Sequence, residues 1–301
     1  ASKLNLEIFE VDPLQASHDI CIERIKEVNK NFDFNKYHSM FSIENLPKKI
    51  DLVIISTQAD IRFQILKNLL DLEHEIEFMI LEKILFQNID DYDPSLELIK
   101  KNNIKCWVNC SRRTLPIYEK IKSEHINHLV CDVELTGGEW GFISNSIHFL
   151  DIISFFTENN KIAISLLDKL VKPSDSISKR KGIYESSGEL QGSCGNINFK
   201  FISEKGSSEN HILKIKTDMS CIEIDEVNKR VTYTKNNIRH EENFTFPNLS
   251  EMAGHFIESI LLEGVCALTD IETSIILHKP FILEINSYFK NNFDLDICPL
   301  T

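Results

Sequence analysis

Residues 51–62 read DLVIISTQADIR, and after one helix-length of chain residues 75–86 read EIEFMILEKILF. The apolar runs from Leu52 to Ser56 and from Glu77 to Leu81 are too short for buried helices. They flank an amphipathic stretch from Ala59 to Leu72. Short apolar runs of this kind are strands buried on both faces, and a helix joining two of them makes a parallel crossover. Working outward, Leu6 to Val11 and Lys105 to Asn109 repeat the pattern, with a weaker run at Tyr37 to Phe41. Ala16 to Asn29, Pro94 to Asn102 and Leu115 to Ser123 read as helices. The expectation is an α/β, Rossmann-type doubly wound parallel sheet over residues 1–123. A complete sheet of this class would place a strand, a tight glycine turn and a helix ahead of Leu6. The first glycine is Gly137, so the first strand and the glycine loop are expected to be missing and the domain to be N-terminally incomplete.

From His128 the texture changes. Leu129 to Leu135 reads as a strand, and Ser146 to Phe156 as a helix apolar on nearly every side. Strand-like stretches with turn residues between them follow from Gly182 to Lys235, and helices near Leu249 to Glu263 and Asp270 to Tyr288 close the chain. Residues 124–301 are therefore expected to form an α+β domain with an open, mainly antiparallel sheet. Lys172 to Lys181, which holds the basic run Lys179, Arg180 and Lys181, reads as a loop.

A net charge of −13 over 301 residues disfavours nucleic acid as a partner. No stretch approaches a membrane span and no signal-peptide layout is present, so a cytoplasmic location is expected. Eight cysteines without a Cys-x-x-Cys pair suit buried free thiols. His125 and His128 lack a third ligand nearby, and no metal is expected.

In an open parallel sheet, ligands sit beyond the carboxyl ends of the strands. That rule picks out Asp12, Ser56, Thr57, Gln58, Glu82, Lys83, Asn109, Arg112 and Arg113. Asp12 is either an acid for the ribose hydroxyls of an adenosine, which favours NAD over NADP, or a turn residue before Pro13. Lys83 is either a cleft lysine near a reacting hydroxyl or half of a surface ion pair with Glu82. His148 and Asp151 lie three apart on the apolar helix and share one face. They are a proton-transferring pair or a hydrogen-bonded core pair.

Taken in order, VDP after the first visible strand, DLVIIST, ILEK, VNCSRRTLP, SNSIHFLD and LTDIETSIILHKPFI resemble the glucose-fructose oxidoreductase and inositol dehydrogenase family, Gfo/Idh/MocA, over nearly the whole chain. The resemblance implies an N-terminal nicotinamide-binding domain and a C-terminal domain that covers the substrate and builds oligomers, here a homodimer or homotetramer. It carries the family's Glu-Lys-Pro lysine onto Lys83, its catalytic histidine onto His148 and the following acid onto Asp151, which would orient the histidine. Arg112 and Arg113 fall in a region lining the cofactor and substrate cleft. Trp140 and Asn145, in the WGFISNSIHFLD stretch, are expected substrate contacts. Ile84 stands where the family usually has proline, so a cis peptide there, which costs about 2.5–4 kcal/mol, is not expected. WGFISNSIHFLD and the closing CPLT look similar to a subgroup tied to bacterial surface polysaccharides. The expected activity is hydride transfer between nicotinamide and a carbinol carbon of a sugar, polyol or nucleotide sugar. The alternatives are a non-catalytic binding protein of the same fold and a lyase or epimerase that uses NAD transiently.

Overall fold

The computed structural model describes residues 4–126, 130–167, 170, 182–247 and 249–301. His128, the start of the strand expected at Leu129 and the basic loop Lys172 to Lys181 lie outside them.

The quoted stretch folds as read. Strands β3 (Lys49–Ile55), β4 (Glu75–Leu81) and β5 (Lys105–Val108) pair in parallel, with helices α2 (Arg62–Asp71) and α3 (Tyr92–Lys101) as the crossovers. Residues Phe78 to Leu81 are all buried, which is why no polar residue interrupts that run. The first visible strand, β1 (Ile8–Val11), leads into α1 (Gln15–Val28) and pairs in parallel with β2 (Tyr37–Met40). These two strands form a sheet of their own and are not hydrogen-bonded to β3. The doubly wound sheet is thus in two pieces, and α1 buries only His18.

The second sheet has eight strands. Strand β6 (Val130–Gly137) follows α4 (Pro116–His125), and helix α5 (Phe142–Thr157) connects it to β7 (Ile162–Leu167). A meander then runs through β8 (Gly188–Cys194), β9 (Ile197–Ser203), β10 (Ile212–Thr217), β11 (Ser220–Asp225), β12 (Arg230–Lys235) and β13 (Ile238–Asn243). The spatial order is β13-β12-β11-β10-β6-β9-β8-β7, antiparallel throughout except between β6 and β9. Sequence reading misses β7 and β13. Strand β13 is an edge made of IRHEEN, with no alternation to detect.

The chain then returns to the first sheet. Helix α6 (Leu249–Glu263) sets Ile260 against Phe78, Ile80 and Trp107. The short strand β14 (Thr269–Asp270) pairs antiparallel with β5. Helix α7 (Ile271–Phe293) starts there, with the Asp270 carboxylate accepting from Thr273 N. Helix α5 packs on β6, β8 and β9 and against α7. Eleven of its residues are buried, as its apolar composition requires.

All eight cysteines are free. Only Cys106, Cys110, Cys194 and Cys298 are buried and Cys131 is exposed, so the expectation of buried thiols holds in part. Among the described residues no helix is long and apolar enough to cross a membrane, and no cluster of three or more His, Cys, Asp or Glu is placed to hold a metal.

Candidate active site

Parallel strands that run side by side end side by side, so Ser56 to Gln58, Glu82, Lys83 and Asn109 share the carboxyl edge of β3, β4 and β5. Backbone bonds from Glu82 N to Ile55 O (3.1 Å) and from Asn109 N to Leu81 O (2.8 Å) stitch the strand ends together. The Asn109 amide donates to the Glu82 carboxylate at 2.6 Å, which occupies that acid inside the site. The Thr57 hydroxyl is buried without a partner.

From this edge the Lys83 ammonium reaches out and donates to the Ser144 carbonyl at 3.0 Å. Ser144 lies in the first turn of α5, so the lysine touches the helix that carries His148. The turn is further held by Glu185, whose carboxylate accepts from Ile143 N (2.6 Å), Ser144 N (3.1 Å) and the Ser144 hydroxyl (2.5 Å). An anion at a helix N-terminus satisfies otherwise orphaned N–H groups and complements the helix dipole. The helix enters through Gly141 at φ +77°, a left-handed conformation that favours glycine.

His148 sits one turn farther along. Its Nδ1 is buried and has no hydrogen-bond partner among the described residues. Burial first, then the cations Arg112 and Lys83, hold its pKa well below the ordinary histidine value, so the ring is neutral near pH 7. A second imidazole, His278 on α7, also acts on it. His278 donates from Nδ1 to the Ser274 carbonyl at 2.7 Å and leaves Nε2 buried and unpartnered.

Several expected roles are corrected. Asp151 does not orient His148. Its Oδ1 accepts from the Thr269 hydroxyl and from Arg113 Nη1 at 3.3 Å, which joins α5 to β14 and to the turn after β5. A short side chain fully inside the core takes the partners beside it, and these come from distant sequence. Burial pushes the Asp151 carboxyl up to about 6, against the pull of Arg113 and Thr269.

Arg113 also stacks on Phe155 at 4.6 Å. Arg112 pairs with Glu226 and lies 4.8 Å over the Phe149 ring. Trp140 gives its indole N–H to the Ile202 carbonyl (2.9 Å) and packs against Phe142, Phe149 and Phe201, so its polar atom is not free for substrate. The Asn145 amide donates to the Trp140 carbonyl at 2.7 Å. The Asp12 carboxylate accepts from Leu14 N at 2.8 Å, the turn geometry that was its other reading. The Lys83–Ile84 peptide is cis, contrary to expectation. Arg62 donates to the Glu82 and Ile84 carbonyls on either side of that bond.

Sequence reading missed Arg62, Glu185 and His278. Arg62 carried one signal, a lone cation in the first turn of a helix, where the dipole disfavours it. Glu185 and His278 carried none.

No family model matches the chain, and no curated protein matches it. Solved structures do. The transcriptional regulator Gal80p from Kluyveromyces lactis aligns over 94% of this chain and 82% of its own, at TM-score 0.70 and 15% identity. Biliverdin reductase from Synechocystis, solved with biliverdin and NADP+, aligns over 88% and 86% at TM-score 0.66 and 12% identity. UDP-N-acetylglucosamine 3-dehydrogenase from Acidithiobacillus ferrooxidans aligns over 87% and 84% at TM-score 0.65 and 9% identity. The architecture is the Gfo/Idh/MocA fold. At identities this low the likeness is one of fold alone.

Proposed function

We propose that the chain is a nicotinamide-dependent oxidoreductase acting on a carbinol carbon of a sugar, polyol or nucleotide sugar. The observation that carries this reading is the convergence of the Lys83 ammonium, bonded to Ser144 O, with the neutral, unpartnered His148 imidazole on the same helix. Neighbours titled as a biliverdin reductase with NADP+ and a UDP-sugar dehydrogenase support it.

The residues present fit one end of such a cofactor better than the other. Thr57, Lys83 and His148 offer polar atoms at the strand ends for the ring. No glycine precedes Gly137, so residues 4–126 form no glycine turn for a pyrophosphate. A bound nicotinamide would supply the hydride acceptor. The rest falls to the chain's own groups. Lys83 holds the reacting oxygen by a charge-assisted hydrogen bond and stabilises negative charge as it develops there. Oxidation also releases the hydroxyl proton, and the His148 imidazole takes it. The cations that keep the ring neutral disfavour the imidazolium, so the proton passes on to solvent.

Titrating the full chain with oxidised and reduced NAD and NADP, followed by tryptophan fluorescence, tests the reading. Turnover is then screened over sugars, polyols and nucleotide sugars. The expected result is saturable binding of at least one nicotinamide form, with an oxidised carbonyl product formed alongside reduced nicotinamide.

One neighbour is titled a transcriptional regulator, which supports a second reading, a non-catalytic binding protein. Absence of binding by all four forms to a folded protein would decide for that reading.

A further inference from the structure

We propose that Arg62 is the positioning residue for Lys83, an inference that rests on the assignment of Lys83 to the site above. Arg62 is the first residue of α2 and is 1% exposed, the largest side chain so completely enclosed. Its guanidinium forms no salt bridge with a carboxylate among the described residues. It donates instead to four backbone carbonyls. Nη1 bonds to Glu82 O at 2.8 Å, to Leu85 O at 2.8 Å and to Ile84 O, while Nη2 bonds to Thr57 O. These carbonyls lie on both sides of Lys83 and on the loop after the neighbouring strand, so one planar fork ties the two strand-end loops that bound the cleft.

Two local effects oppose the arrangement. A cation in the first turn of a helix opposes the dipole. A buried charge without a directly paired carboxylate is disfavoured by desolvation, and burial lowers the Arg62 pKa to about 10 against the pull of Glu82, Tyr92 and Asp60. Filling the same space with an apolar side chain would remove both penalties but leave the loop carbonyls without donors. What Arg62 supplies is geometry. Five N–H groups in a rigid plane can hold several carbonyls at fixed angles, which a lysine ammonium on a flexible stem does not do. The loop so held projects Lys83 across to Ser144 O, 61 residues away.

The test measures Lys83 itself. The full chain is labelled at trace level with isotopic acetic anhydride, and the Lys83 peptide is quantified by mass spectrometry in wild type, Arg62→Lys and Arg62→Met. Lys214, on the outer sheet, serves as the internal standard. With the loop released, the Lys83 to Ser144 bond weakens by about one net hydrogen bond, and labelling of Lys83 rises about tenfold while Lys214 changes by less than about twofold. A folded Arg62→Lys protein in which Lys83 labelling stays within about twofold of wild type overturns the proposal, whatever happens to its melting temperature.

A measurement on the unmodified protein guards against variants that do not fold. Nitrogen-15 spectra of the Arg62 side chain should show guanidinium hydrogens protected from exchange and hindered in rotation, and free rotation refutes the clamp. Where turnover is established, Arg62→Lys should lower kcat and leave the KM for the nicotinamide unchanged. If the wild type shows no turnover at all, the oxidoreductase reading fails and the labelling contrast still decides the role of Arg62.

Discussion

Replacing His278 with Gln isolates the electrostatics of the site's inner wall. His278 is 1% exposed and its pKa lies near 3 against an ordinary 6.5, with burial as the main cause and the Ser274 carbonyl opposing it. The folded state therefore binds a proton less readily than the unfolded chain. Stability from this group is complete above about pH 6.5 and is lost as pH falls toward 3. The whole depression corresponds to about 5 kcal/mol, and the part realised between about pH 7.5 and about pH 4 is about 3 kcal/mol. No discount for solvent screening applies to a ring so completely enclosed. The cations Arg62 and Lys83 lower the His278 pKa further, while Tyr92 packs beside the ring and stays neutral. His148 titrates in both proteins and is coupled to His278, so the difference contains that coupling as well. Glutamine keeps a side-chain donor for Ser274 O and does not titrate. Urea unfolding of wild type and His278→Gln at a series of pH values gives the two curves. The wild type should lose about 3 kcal/mol more than the variant across the window. Curves parallel to within about 1 kcal/mol would refute the claim that His278 is held neutral by the fold.

Three further outcomes are expected. Asp151→Asn should remove an opposite pH dependence: with a folded pKa near 6, the wild-type carboxyl is protonated more readily in the fold, so its contribution to stability falls as pH rises from about 4 to about 6, by at most about 3 kcal/mol. Differential scanning calorimetry of both proteins at the two ends of that range measures it. His148→Ala should lower turnover by about 10² to 10⁴ with cofactor affinity largely kept, read by steady-state kinetics beside a fluorescence titration. Glu185→Gln keeps one acceptor at the start of α5 but loses the charge, and should cost about 1 kcal/mol in a chemical denaturation experiment.

The sequence made the strands and crossovers of the first sheet legible because short apolar runs alternate with amphipathic helices, although only FMIL is buried throughout and in VII Ile54 is exposed. It also singled out Lys83 and His148, because each is a polar interruption at the end or in the middle of such a run. Orientation was not legible. Asp151 finds Thr269 at a separation of 118 residues, Ser144 finds Glu185 at 41, and Trp140 gives its N–H to a carbonyl 62 residues on. Spacing along a helix says which residues can share a face. It does not say which of them is captured by a partner from elsewhere, and Asp151 was captured while His148 was not. Arg62 shows the same division from the other side: it stood inside the stretch that decides the fold, yet its partners are backbone carbonyls, which carry no residue identity for a sequence to display. The candidate polar groups are therefore written locally, and their orientation is fixed by tertiary contacts. That is why the Lys83 to Ser144 bond, and not either residue alone, carries the functional reading.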